Sequence, residues 1–553
     1  MIPTFPGAGP GGCSAGSHGD PNSGTLDAVI ADEDRDSGLR LADLVAAFSL
    51  ATDLGLGQPT EHVLRSWLIA SRLADHLDVG ADMRAPLYYV TTLAWAGCVA
   101  DTPEVAAWFG DDIAYRRDSF AVDLAGLPLL GFSLRHVAAG SPLLYRLRRG
   151  GDLVITGGKA VERGLLSHCL TTVRMAERLG LGENVCDPLR QVFTRWDAKG
   201  VPGGVGGEQI ATLVRLFHLA DVVEVHHRAG GVHAAVEVAR SRRGRQFDPA
   251  VVDAFCALAG VVLDGVDTHG EWDPLIAGVP GLQHQLSEHE LDTALEAVAD
   301  FTDVRSPSRA GHSRGVASLA AAAGDLLGLP IGDVRTLRRA GLVHDIGMHG
   351  VPATILDKPG PLSGTERERM RMSVYYTGRT LARPPALARV GAVASLASER
   401  LDGSGYHRGL SGAAIPVAGR ILAAADAFHA MIEPRPYRAA LTTEQASAEL
   451  RAAVRRGQLA ADAVHGVLTA AGQRPGKRRS GLAGLTPREV EVLTLVARGA
   501  STRQVAQALG ITAKTTGTHI ERIYAKIGAS SRSTATLFAL QHGLLDTLNP
   551  MDL

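Results

Sequence analysis

The sequence predicts an all-α fold built as a string of helical units, and three observations point to it. Apolar residues recur three and four apart over most of the chain after residue 39. Examples are "EHVLRSWLIASRLADHL" and "HSRGVASLAAAAGDLLGL", both rich in Ala and Leu. Alternating β patterns are scarce. At 553 residues the chain is too long for one domain of roughly 100–200 residues, so about three units are expected.

Taken in order, residues 1–38 come first. "MIPTFPGAGPGGCSAGSHGDPNSG" is rich in Gly, Pro and Ser, lacks the charged and apolar regions of a signal peptide, and is expected to be disordered. Two copies of one helical unit follow, at 39–270 and 286–470. "TRWDAKGVPGGVGGEQIATLVRLFHLADVVEV" (194–225) aligns without gaps on "ERLDGSGYHRGLSGAAIPVAGRILAAADAFHA" (399–430), pairing Asp197 with Asp402, Gly200 with Gly405, Arg215 with Arg420 and Asp221 with Asp426. Those pairs are 205 residues apart, whereas His62–His312 and Gly97–Gly347 are 250 apart, so the first copy carries an insertion within residues 101–162. Residues 471–483 read as a basic linker, with Pro, Gly and four Lys/Arg in "QRPGKRRSG".

The last unit, 484–553, reads as short helices. Thr486-Pro487 with Glu489 is a capped helix start, Gly499 a stop, "STRQVAQAL" a second helix ended by Gly510, and Thr512 the cap of a third. Helix, tight Gly-containing turn and helix make a helix-turn-helix. Residues 481–545 hold seven Lys/Arg and three Glu, a net of +4, while the whole chain is at −2. The basic footprint for a phosphate backbone is therefore local to this end.

The landmarks "LTPREVEVL", "GASTRQVAQALGI", "TAKTTGTHIERIYAKIG" and "SSRSTA" resemble the LuxR-type helix-turn-helix family over about residues 484–545. The resemblance implies a four-helix DNA-binding domain whose third helix enters the major groove. It puts Lys514, Thr515, Thr516, His519 and Lys526 on the DNA side. Its last helix, about 532–543, is implied to pair two copies through Leu537, Phe538, Leu540 and Leu544. The family usually has Val where Thr516 stands.

Residues 306–470 resemble the HD superfamily, and within it the HD-GYP group, on "HSRGVASLA", "VHDIGMHGVPATILDKPGPLS", "DGSGYHRGL" and "ADAFHAMIEPRPYR". The resemblance implies a bundle of about five to seven helices and a metal-ligand set of His312, His344, Asp345 and Asp426. His with carboxylate suits a divalent ion such as Mn, Fe or Mg, which generates hydroxide and neutralises phosphate. Other ligands of the group's multinuclear site are replaced: Met348 stands for a Lys, Ser373 for a His, Ala397-Ser398-Glu399 for HHE, and His407 for the Pro of GYP. In the first copy His62, His168 and Asp221 remain, but Ala94-Trp95 stands at the His-Asp position.

The expected function is a cytoplasmic transcription regulator whose HD-like units sense or assemble. Its partners would be double-stranded DNA, a second copy of itself and a small-molecule or nucleotide ligand, with no membrane. The main rival is a metal-dependent HD-class phosphohydrolase carrying a DNA-binding domain, with hydrolysis of cyclic di-GMP expected to be absent or weak. A third reading is an architectural DNA binder without ligand. Five widely spaced cysteines with no CxxC argue against a disulfide framework or a zinc knuckle, and no apolar run reaches the ~18 residues of a membrane span.

Overall fold

The computed structural model describes residues 38–139, 142–267, 272–472 and 485–545, without the side chains of 156–160. Nearly all of the segment 1–38, expected to be disordered, and nearly all of the basic linker fall outside the described residues. The fold is all-α: among the described residues the extended pairings are isolated bridges such as Phe193 with Val201 and Asp402 with Ser411.

The internal repeat is visible in geometry as well as in letters. Asp53 accepts a hydrogen bond from the Val63 amide at 3.1 Å, and Asp303, 250 residues on, accepts one from Ser313 at 2.9 Å. The residue before each first histidine has positive φ: Glu61 at 75° and Gly311 at 82°. Helices His62–His76 and His312–Leu326 start at those histidines, and Thr212–Arg242 and Val417–Ile432 carry the later aspartates. In the first copy, Asp112–Ser119, Gly126–His136 and the first half of Leu143–Arg178 have no counterpart in the second, which accounts for the insertion.

Both copies bring a glycine hard against a helix backbone. A Cβ on Gly97 would lie 2.2 Å from the His168 carbonyl oxygen, and one on Gly347 would lie 1.9 Å from that of Ser373. His168 and Ser373 are themselves repeat partners, 205 apart. Gly347 follows the His344-Asp345 pair by two residues, so this contact sets the pair's depth beneath helix Gly364–Leu381. Gly347→Ala should therefore force that helix outward and destabilise by about 1–3 kcal/mol. Urea unfolding measures it, and an unchanged midpoint would refute the tight contact.

The two copies are joined by buried charge. Asp112, from the insertion, is fully buried. Its Oδ2 meets Arg116 Nη1 at 2.9 Å and Arg305 Nη2 at 3.3 Å, and its Oδ1 accepts from the Ala353 amide at 2.8 Å. Arg305 also donates to the Val351 carbonyl at 2.9 Å. This knot ties the insertion to the segment just after His344-Asp345.

Among its described residues the C-terminal unit has four helices: Pro487–Ala497, Thr502–Leu509, Ala513–Ile527 and Arg532–Gln541. Thr486 caps the first through the Glu489 amide, with Glu489 reciprocating. Gly510 closes the second in the left-handed region at φ 64°. No helix among the described residues is long and apolar enough to cross a membrane.

Candidate metal centre and DNA-contacting face

The second copy gathers its predicted ligands. His312 opens its helix, so its ring sits at the helix end, fully buried. His344 closes helix Ile331–Val343 and donates from Nδ1 to the Gly341 carbonyl at 2.8 Å. That bond fixes the tautomer and leaves Nε2 bare toward the centre. Ligand atoms of His312, His344 and Asp345 lie within 4.8 Å of one another. Asp426 Oδ1 is 3.2 Å from His312 Nε2 and 3.7 Å from His344 Nε2. The four residues therefore converge.

Three charged residues that sequence reasoning missed complete the centre. Glu433 Oε2 accepts from His312 Nδ1 at 2.9 Å, and its Oε1 stands 3.0 Å from His429 Nδ1. A carboxylate behind a metal-binding imidazole orients the ring and raises its basicity. The signal was available: Asp426, His429 and Glu433 are spaced three and four apart, one face of a helix. Arg435 donates to Glu433 at 2.7 Å. Arg309 places Nη2 against Asp345 Oδ2. His429 in turn requires Gly315, where a Cβ would lie 1.7 Å from its Nε2.

Burial alone would raise the Asp426 and Glu433 carboxyls. The His312 hydrogen bond and the nearness of the His344 ring hold Asp426 well below its usual range, and His312 and His429 do the same for Glu433. Both shifts favour the carboxylate form, which Asp426 needs to hold a cation. His344 Nε2 is buried with no hydrogen-bond partner, and Asp345 Oδ2 likewise has no bond of good geometry, although Arg309 lies against it. Orphaned donor atoms on imidazole and carboxylate, converging in one place, fit a divalent ion.

The residues that replace the group's further ligands have other work. Met348 packs on the apolar cluster of Val351, Ile355 and Leu356. Ser373 donates back to the Met370 carbonyl at 2.7 Å. Glu399 accepts from the amides of Arg408 and Leu410 at 2.8 and 2.9 Å, organising the "GYH" loop.

The first copy has the same frame with its centre plugged. Trp95, at the position of Asp345, donates from Nε1 to Asp221 at 3.0 Å. Arg65, at the position of Gly315, reaches Glu224, at the position of His429, at 2.6 Å. His62 contacts Glu224 at 2.5 Å and Asp221 at 3.2 Å. Burial opposes its protonation, but Glu224 and Asp221 outweigh that and raise His62 to about 10. The His62 imidazolium and the guanidiniums of Arg65 and Arg228 thus neutralise the two carboxylates from within, and the Trp95 indole N–H hydrogen-bonds to Asp221. His168 points away, donating to the Ala94 carbonyl at 2.7 Å.

On helix Ala513–Ile527 the predicted residues separate. Lys514 and Thr515 are exposed and His519 is half-buried. Thr516 is fully buried with its hydroxyl on the Thr512 carbonyl at 3.1 Å. The expectation that Thr516 faces DNA is corrected: it lies on the inner side of the helix, where the family's usual Val would pack. Lys526 is exposed but pairs with both Glu489 oxygens at 2.9 and 2.7 Å, and with Thr486 it holds Glu489 down to about 2. Thr518 and Arg522, which sequence reasoning passed over, extend the open face, since 514, 518 and 522 are four apart.

Comparison with known proteins agrees with this geometry. Residues 296–459 match the HD domain family, and 483–539 match the luxR family of bacterial regulatory proteins. The chain therefore carries an HD domain and a LuxR-type helix-turn-helix domain. The 3'3'-cGAMP-specific phosphodiesterase 3 of Vibrio cholerae is 28% identical over 412 residues, 74% of this chain and 90% of that protein. The cyclic di-GMP phosphodiesterase response regulator RpfG of Xanthomonas campestris is 32% identical over 207 residues, 35% of this chain and 54% of that protein. The crystal structure of the cyclic GMP-AMP specific phosphodiesterase V-cGAP3 of V. cholerae shares the fold, with a TM-score of 0.56 and 24% identity, covering 79% of this chain and 99% of that one.

Proposed function

We propose that the chain is a DNA-binding transcription regulator of the cytoplasm, in which a plugged HD-like unit (39–270) and a metal-competent one (286–470) govern a C-terminal DNA-binding domain (484–553). The observation that carries the reading is the open face of helix Ala513–Ile527, with Lys514, Thr515, Thr518 and Arg522 exposed on a unit of local net charge +4. A helix of this placement reads base edges while flanking cations meet phosphate. Two copies acting on imperfect inverted repeats about one helical turn apart fit the family pattern.

Lys514→Ala in the full chain tests it. Duplex binding should weaken by about 1–3 kcal/mol with altered base preference if Lys514 meets a base edge. If it meets only phosphate, the loss is uniform across sequences and the salt slope falls by about one. A chain that never binds duplex DNA in a salt-dependent way ends the assignment.

A second reading is favoured by a specific observation, the four-residue cluster with its orphaned His344 Nε2. Relatives named as cyclic-dinucleotide phosphodiesterases make such a dinucleotide the ligand class to assay first. Because Met348, Ser373, Ala397 and Ser398 offer no further metal ligands, we expect binding or weak turnover of cyclic di-GMP. Robust Mn²⁺-dependent turnover, abolished by Asp345→Ala, would make the chain an enzyme first.

A further inference from the structure

The DNA-binding domain is held against the HD bundles, and the seam runs past the metal centre. Arg174, on helix Leu143–Arg178, donates to the main-chain oxygens of Thr534 and Ile527 at 3.1 Å and of Gly528 at 3.4 Å. Ser167 Oγ meets Ser531 Oγ at 2.7 Å. Leu537, Phe538, Leu540 and Leu544, the face that would pair two copies, are all buried. Part of that cover is their own domain, and part is helices Cys98–Phe109, Leu143–Arg178 and Glu288–Asp303. A pairing helix covered in this way is withheld from a second chain.

The same seam touches the segment that feeds the metal cluster. A Cβ on Gly499 would lie 3.0 Å from Pro307 Cβ. Leu540 Cδ2 and Leu545 Cβ stand 3.4 and 3.7 Å from the Cβ position of Gly311. Pro307 opens the turn Pro307–Arg309, and Gly311 precedes His312. Arg309 sits at the end of that turn with its guanidinium on Asp345 Oδ2, one of the atoms a cation would use. Arg498, beside Gly499, is close enough to Glu433 to feel its charge.

A guanidinium and a divalent ion compete for one carboxylate oxygen, because each demands its lone pairs and the two cations repel. We propose that Arg309 is an internal competitor for the cation. Loading the centre displaces Arg309, shifts the turn Pro307–Arg309, and loosens the DNA-binding domain so that its pairing helix is freed. This rests on the metal-centre and DNA-binding readings above. It adds a direction: cation in, pairing helix out.

The test uses the full chain with Mn²⁺ or chelator. It reads Mn²⁺ affinity, hydrogen exchange across residues 532–541, and mass by sedimentation. Mn²⁺ should accelerate exchange in 532–541 and promote pairing in the parent chain, and should do neither in Asp345→Ala. Arg309→Ala should bind Mn²⁺ about tenfold more tightly, having lost a charge-assisted competitor. Arg174→Ala, remote from the ligands, should open 532–541 without Mn²⁺ while leaving Mn²⁺ affinity unchanged. Mn²⁺ bound with unaltered exchange overturns the coupling alone, as does an Arg309→Ala chain of unchanged affinity. No Mn²⁺ bound by any form overturns it together with the metal centre. A Mn²⁺-dependent opening in a chain that fails to bind DNA upholds the coupling and rejects only the DNA reading.

Discussion

Asp112→Ala is expected to cost the fold about 3–5 kcal/mol, the range for removing one partner from a buried ionic cluster. Asp112 has no solvent exposure and stands between Arg116 and Arg305, which are themselves buried. Arg116 keeps Asp101, but Arg305 keeps only the neutral Val351 carbonyl among these partners. Burial already pulls the Arg305 guanidinium below its ordinary value, with Asp112 as the main opposing charge. The loss should also uncouple the two HD-like units, appearing in urea as an earlier, broader transition. A second variant, Asp112→Leu with Arg305→Met, should recover much of the deficit, since it removes charge from both sides. Failure of the single variant to lower stability would refute the knot.

Asp345→Ala should leave no retained Mn²⁺ after purification and dialysis, as measured by elemental analysis. Glu433→Gln is the graded companion. It keeps the ligands but removes the charge behind His312, so affinity should fall by about 10–100-fold. Acid should mimic both, because the imidazoles must be deprotonated to bind. A metal content equal to the parent's in Asp345→Ala would reduce the His-Asp pair to packing.

The fold class, the repeat and the convergence of the four candidate ligands were legible because each leaves a local mark: helical period, fixed offsets of 205 and 250, and residue types at motif spacing. Glu433 left such a mark four residues beyond His429 and seven beyond Asp426, and it went unread. Arg309 left none, since a guanidinium three residues before a histidine has no spacing rule and reaches Asp345 only through the tertiary turn. The plugging of the first copy was half legible. Trp95 at the Asp345 position could be read, but Arg65 filling the void that Gly315 keeps for His429 required both copies folded. Thr516 was misplaced because motif matching assigns a helix face without regard to depth, and its hydroxyl satisfies itself on Thr512.

The covered face of Arg532–Gln541 sits beside an open recognition helix, and that pairing has a kinetic meaning. Under the proposed coupling, a single chain in this arrangement can still touch the duplex through Lys514 and its neighbours, with the shallow, salt-sensitive affinity of backbone contact. It can travel along DNA without stopping. Freeing the pairing helix adds no new base contact. It turns the second half-site into an intramolecular partner at high effective concentration, and residence lengthens by orders of magnitude. The regulated quantity is then dwell time, and search is left running throughout.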